Sequence, residues 1–458
     1  MSALATALAD YHGLIEADLA SAERQADLLA GLQRERRVLF GDRVAAHSLR
    51  PTLVTERTYA RVQDAVYVIR SAILKVAAAH FDNPGVLTHD LGLRDWEMEL
   101  AAIPSRSHHL SALSRLDAFQ TDGGFKFVEV NGESPAGLGY VHNLAGIYHE
   151  LPVFQAFTER WPVRYVSPME HTVQMLVRTY HGEHGGTVDR PRIAIVDHLD
   201  VPTIHEFRII EDYLGRLGYP CVVADPRELS VSDGWVVAGG ERVDIVYRRL
   251  LTNEFWAIRD ECPAFLEGYR AGKTCFLNSF RAKLAHKKAI FAFLTDARFT
   301  DGVLTPFELG TIRQHVPWTR RLREHTTGAD GTPIDLVPHV RANRHRFVLK
   351  PNDEYGGTGV FLGFDLDERA WDDALNTALA DGDYVVQEAV SIHREPFLVR
   401  SPDGWAYVPT VIDLDPYLMG PLLGGCLTRT SASNLANVTA GGGTLPMFIL
   451  RNTFSDAD

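Results

Sequence analysis

The chain predicts a mixed α/β protein built from several α+β lobes, and three observations carry that expectation. The first hundred residues repeat Leu and Ala at helical spacing. Residues 190–275 alternate short apolar strands with an amphipathic helix, and the last hundred return to strands and turns. At 458 residues there is chain enough for two or three domains. A formal net charge of −13 argues against a nucleic-acid partner. Cys221, Cys262, Cys275 and Cys426 form no CxxC pair, as expected of a reducing cytosol. No apolar run approaches the roughly 18 residues of a membrane span, and the N-terminus lacks a basic-then-apolar signal. A cytoplasmic protein without a membrane partner is expected.

The elements follow in order. "LIEADLASAERQADLLAGLQRERRVLF" and "YARVQDAVYVIRSAILKVAAAHF" place apolar residues three and four apart and read as helices. A hairpin is expected at about Leu113 to Asn131. "RIAIVD", "PCVVAD" and "DIVYRR" read as strands of a small parallel sheet, with "TIHEFRIIEDYLGRLG" as a helix between the first two. No GxGxxG follows the first of these strands, so a dinucleotide site is not expected there. "KKAIFAFLTD" reads as a helix, and the charged stretch from there to about His345 as irregular. "RFVLKP", "GVFLGF", "YVVQEAV", "WAYVPTVIDL", "GGCLTRTS" and "LPMFIL" read as strands, with "ERAWDDALNTALA" a helix among them.

Two segments carry chemistry. In "RFVLKPNDEYGGTGVFLGF" a cation, Lys350, stands near a strand end, and Gly356, Gly357 and Gly359 follow. Glycines let backbone N–H groups approach phosphates while the ammonium offsets their charge. The absence of GK[ST] excludes a Walker P-loop. "DYVVQEAV" ends in Gln387-Glu388 and continues extended, as an adenine-binding hinge requires.

The second segment is "SRLDAFQTDGGFKFVEVN". Its "TDGG" marks a hairpin turn, and the register decides which side chains meet. A two-residue turn at Asp122-Gly123 pairs Asp117 with Val128. A three-residue loop, Asp122-Gly123-Gly124, pairs Asp117 with Glu129, Arg115 with Asn131, and Phe119 with Phe127. The three-residue loop is therefore expected. It gathers two carboxylates and an amide oxygen, hard donors that suit Mg²⁺, on the face carrying Phe125 and Phe127.

These motifs and their order resemble the circularly permuted branch of the ATP-grasp superfamily, and the synthetase domain of glutathionylspermidine synthetase within it. "RLD…VEVN" precedes "HKKAI" and "VLKP…GGTG", where conventional members place the metal ligands after the nucleotide lysines. The resemblance implies a circularly permuted ATP-grasp fold with a small parallel α/β pre-ATP-grasp-like lobe. The implied domains are 1–188, holding the N-terminal helices and metal hairpin, the α/β lobe at 189–285, and an ATP-binding lobe at 286–458.

The resemblance further implies that Asp117, Glu129 and Asn131 hold the metal. Lys288, Lys350 and the loop Gly356, Gly357, Thr358, Gly359 take the ATP phosphates, and Gln387, Glu388, Ala389 and Val390 take the adenine. Arg115 and Arg429 stabilise phosphoryl transfer, and Glu133 and Ser134 meet substrate. At least one of Glu133, Asp353, Glu354, Asp413 and Asp415 is expected to face the substrate cleft and so favour a cationic amine. The segment Gly132-Glu133-Ser134-Pro135-Ala136 departs from the family's usual Ala-Asp-Ser, and the stretch from Lys288 to Lys350 is longer than usual. Glutathione and spermidine are therefore not assumed.

The expected activity is an ATP- and Mg²⁺-dependent carboxylate–amine ligase working through an acyl phosphate. Its partners are a small-molecule carboxylate (an amino acid or peptide) and an amine, with a homodimer left open. Two alternatives also stay open: an ATP-dependent phosphotransferase, and a nucleotide-binding partner subunit without chemistry.

Overall fold

A computed structural model describes residues 2–328, 331–354, 356–401, 403–433 and 442–451, apart from the side chains of His325 and Thr327. The fold is α/β. Tyr355, inside the glycine-rich loop, lies outside the described residues.

The N-terminal reading is met by helices Ala3–Glu16, Leu19–Glu35 and Glu56–His80. Their buried faces recur at three- and four-residue spacing, as with Tyr59, Val62, Val66, Ile69, Ile73 and Val76 of the long helix. A short strand, Thr52–Thr55, precedes that helix and was not expected. It pairs in parallel with Met447–Leu450 near the other end of the chain, a partner no local pattern reveals.

The hairpin Leu113–Thr121 and Gly124–Asn131 belongs to a seven-stranded antiparallel sheet. Its first strand pairs with Asp415–Met419, which pairs with Leu422–Ser431. The early hairpin is thus completed by strands some three hundred residues later, which is how the permuted order closes on itself.

The parallel sheet has four strands, in the spatial order Cys275–Leu277, Ile245–Arg248, Ile193–Val196, Cys221–Ala224. Ile193 to Val196 are all buried, the continuous apolar run expected of a strand covered on both faces. A third sheet orders Thr319–Arg321, Tyr384–Glu388, Phe347–Pro351 and Phe361–Leu362, all antiparallel.

The stretch read as irregular up to His345 is largely ordered. Helix Pro306–His315 starts at a capping box: the Glu308 amide donates to Thr305 Oγ1, and the Glu308 carboxylate accepts from the Thr305 amide. The signal stood in "TPFE", but the charges around it masked the helix's narrow apolar stripe.

Candidate active site

The hairpin brings Asp117 opposite Glu129 and Arg115 opposite Asn131, but by a different route from the one the turn suggests. Thr121 pairs with Gly124, so the turn has two residues, Asp122-Gly123. A β-bulge then inserts Val128 between Phe127, which pairs with Ala118, and Glu129. Phe119 consequently faces Lys126, not Phe127.

The cause lies on the next strand. The Ala118 amide donates to the Asp415 carboxylate at 3.1 Å, and the Ala118 carbonyl accepts from the Leu414 amide at 2.7 Å. Ala118 therefore turns to its other neighbour, and Val128 is left over. The extra residue also breaks the alternation. Phe127 is fully buried and Phe125 stacks on His315 at 4.3 Å, while Glu129 looks into a cleft.

That cleft lies between the hairpin's sheet and the third sheet and opens to solvent, with about 920 Å³ of space between its walls and mouth. Asp117, Glu129, Asp413 and Arg429 line one wall. Val348, Lys350, Leu362 and Gln387 line the other, with Lys288, Glu354, Gly356 and Gly357 at the side and Glu388, Val390 and Ile392 further along. Gly356, Gly357 and Gly359 have φ of +71°, +78° and +68°, conformations a β-carbon disfavours.

Charge is arranged in two layers. In the deeper one Arg115 grips Asp117 with Nε at 2.6 Å and Nη2 at 2.8 Å. Arg429 Nη2 reaches Asp117 at 2.8 Å and Asp415 at 3.0 Å, and its Nε donates to Asp413. Three buried carboxylates thus share two guanidiniums. Burial, opposed by Arg429 and reinforced by Asp117, pushes the Asp413 carboxyl up to about 6 and Asp415 well above its usual range.

The outer layer is reversed. Burial would raise the Glu129 carboxyl, but Lys288, Lys350, Arg429 and Arg115 outweigh it and hold it well below the carboxylate range. Lys288 Nζ sits 3.4 Å from Glu129. Lys350 Nζ donates to Gln387 at 2.8 Å, and burial, partly offset by Glu129, brings its ammonium down to about 8. Two ammonium groups meeting one carboxylate leave positive charge facing the cleft.

The remaining candidates fall elsewhere. Asn131 is half-buried beside Glu129, its amide nitrogen 3.4 Å from that carboxylate, and does not line the cleft. Arg115 lies behind it. Thr358 is exposed, Gly359 packs toward Pro351, and the Ala389 amide donates to the Arg346 carbonyl at 2.7 Å, so that of the expected hinge residues Gln387, Glu388 and Val390 line the cleft and Ala389 does not.

Glu133 is fully buried in a separate ion network. It meets Arg248 at 3.1 Å and Lys283 at 3.2 Å, and Lys283 and Lys287 in turn bind Asp353 and Glu97. The neighbouring Ser134 Oγ is buried with no hydrogen-bond partner among the described residues. Asp413 and Asp415 were read only as acidic residues near the motifs. The alternation in "VIDLDPY" was their signal, since it sets both carboxylates on one face of the same strand run.

Among the described residues no group of three or more His, Cys, Asp and Glu side chains forms a metal site. Both Asp117 oxygens are held by arginines, whereas Glu129 is held only by contacts of 3.4 Å. A charged, loosely held carboxylate beside an amide is an oxygen donor set that fits a hard divalent cation completed by substrate oxygens. No helix among the described residues is long and apolar enough to cross a membrane.

A stretch of "Putative glutamate--cysteine ligase 2-3" from Frankia alni is 27% identical over 254 residues, covering 52% of this chain and 27% of that protein. This chain therefore matches only about a quarter of that relative's length. An uncharacterized protein of Synechocystis sp. is 22% identical over 355 residues, covering 72% of this chain and 68% of its own. Among solved structures, a glutathione synthetase-like effector from Globodera pallida shares the fold at TM-score 0.61 and 14% identity, over 93% of this chain and 96% of that one. The model of the circularly permuted ATP-grasp type 2 family matches residues 91–431, and the chain belongs to that family.

Proposed function

We propose that the protein is an ATP-dependent carboxylate–amine ligase that forms an amide or peptide bond through an acyl phosphate. The observation that carries this reading is the cleft itself, where Lys288 and Lys350 present positive charge beside Glu129, between a glycine-rich loop and an apolar hinge wall. A polyanion with a flat base matches that distribution.

In the first step a carboxylate oxygen of the acid attacks the γ-phosphorus of ATP, and ADP leaves. Lys288 and Lys350 offset the charge that spreads over the transferred group. Arg429, held by Asp413, Asp415 and Asp117, is fixed at the cleft wall and needs no reorganisation to do the same. Glu129 and Asp117, with the Asn131 amide beside Glu129, would hold Mg²⁺, which would supply Lewis-acid neutralisation of the phosphate oxygens. In the second step the amine nitrogen attacks the acyl carbon, loses a proton, and phosphate leaves.

The name carried by the Frankia alni relative makes glutamate the first acid to test and cysteine the first amine. Hydroxylamine is small enough to replace the true amine. With ATP, Mg²⁺ and the correct acid, the protein should yield a hydroxamate with equal amounts of ADP and phosphate. A stable phosphoester without hydroxamate would mark a phosphotransferase, and pyrophosphate would contradict chemistry at the γ-phosphorus.

A further inference from the structure

Against strand Thr319–Arg321 lies a second open cavity of about 800 Å³, which shares no lining residue with the nucleotide cleft. Four guanidiniums line it, those of Arg298, Arg320, Arg321 and Arg323, against two carboxylates, Asp90 and Asp296. Both carboxylates are already committed. Asp296 takes Arg298 at 2.9 Å and Arg320 at 3.7 Å, and Asp90 lies 3.7 Å from Arg298. Arg321 is paired with Asp383, behind the wall. Arg323 meets the imidazole of His89 and no carboxylate among the described residues. Even counting Asp383, the cavity keeps one positive charge too many.

The surplus shows in the groups themselves. Burial, with Arg321 and Arg298 adding to it and Asp90 and Asp383 opposing it, holds Arg323 below its ordinary value. Burial, opposed by Asp296 and reinforced by Arg298, pushes Arg320 down to about 10. Cations crowded in this way gain from an anion and lose from one another. Arg320 is also rigid: it is buried, with Nη1 and Nη2 donating to the Thr295 hydroxyl and carbonyl at 3.0 Å. Arg320 therefore contributes fixed charge, its Nη atoms already donating to Thr295 and Thr319, while a guanidinium fork such as that of Arg323 matches the oxygens of phosphate and carboxylate groups. The stacked rings of Phe293 and Phe299, 4.1 Å apart, give the cavity an apolar wall.

We propose that this cavity is a second anion site, separate from the nucleotide cleft, that takes a small dianion through phosphate or carboxylate oxygens. Arg323 and Arg298 provide its accessible charge and Arg320 its fixed floor. This proposal is independent of the ligase reading, because it requires no turnover.

Calorimetric titration of the full chain with inorganic phosphate, and separately with malonate, tests it. The wild type should bind one equivalent of at least one of them saturably, and the tighter probe identifies the phosphate or the dicarboxylate class. Lys350→Ala should bind that probe as the wild type does. Arg323→Ala and Arg298→Ala, each checked for an unchanged denaturation midpoint, should each weaken it at least tenfold. The Arg323 variant alone suffices if the Arg298 variant fails to fold. Absence of saturable binding, or binding lost in Lys350→Ala but kept in Arg323→Ala, would overturn the proposal by placing the anion in the nucleotide cleft or nowhere.

Discussion

At the scale of single residues, the site rests on an unequal distribution of contacts. Asp117 is held by two guanidiniums at hydrogen-bond distance, while Glu129 has only contacts of 3.4 Å, to Lys288 and to Asn131. Glu129 is therefore the carboxylate with oxygens to spare. Glu129→Gln keeps the shape and removes the charge. Turnover should fall by roughly 10²- to 10³-fold, the usual cost of losing one transition-state electrostatic partner. The apparent Mg²⁺ requirement should rise, with the far-UV spectrum unchanged. Wild-type turnover at low Mg²⁺ would remove Glu129 from the site. Lys350→Ala should weaken ATP at least tenfold, about 1.4 kcal/mol, in equilibrium binding, because the Gln387 amide that now accepts from it cannot replace its charge. The pairing of Asp117 with Glu129 was legible in the sequence, but for an incomplete reason. Turn chemistry named a three-residue loop, while the protein uses two residues and corrects the register with Val128. That correction depends on Asp415 capturing the Ala118 amide, a contact across 297 residues that no hairpin rule contains.

At the scale of elements, Lys288 stands between two short helices, Lys283–His286 and Ile290–Thr295, where helix geometry alone does not fix it. Asn352 does. Its carbonyl accepts from the Lys288 amide at 2.9 Å, and its side-chain oxygen accepts from the Ala289 amide at 2.9 Å. Its amide nitrogen donates at 2.9 Å to both the Leu91 carbonyl and Asp383. One fully buried side chain thus ties the lysine, the start of the glycine-rich loop and the hinge strand together. In the sequence it is one letter of "KPNDE", and the motif reading passed over it because its partners come from three separate segments. Asn352→Ala leaves the buried Ala289 amide and Leu91 carbonyl unpaired, at about 1–3 kcal/mol each, while Asp383 keeps its pairing with Arg321. The denaturation midpoint should fall, and ATP affinity should fall with it although Asn352 does not line the cleft. A variant that loses stability but keeps its ATP affinity would show that Lys288 is positioned by something else.

At the scale of the whole molecule, the site is assembled from distant parts of the chain, so closing the two ends matters more than any one helix. The strand Met447–Leu450 runs between Thr52–Thr55 and Val163–Arg164, with all four of its residues buried. Just before it, Gly443–Leu445 pairs with Leu422–Ser431, the strand that carries Arg429. The helical N-terminal region and the seven-stranded sheet are therefore joined through this late segment. Phe448 is its anchor: fully buried, 4.7 Å from the Phe154 ring, 5.4 Å from His149 and 5.7 Å from Tyr165. Phe448→Ala should cost roughly 3–5 kcal/mol, since a rigid set of aromatic neighbours cannot collapse into the space left behind. Natural domains are stable by about 5–15 kcal/mol, so that loss removes a large share of the total without forcing unfolding. The urea midpoint should drop clearly while kcat in the absence of urea stays near wild type, because neither Phe448 nor its aromatic neighbours line the cleft. Equal loss of kcat and stability would mean that this strand transmits strain directly to Arg429. An unchanged midpoint would mean that the molecule is held closed by the early hairpin and the strand Asp415–Met419 alone.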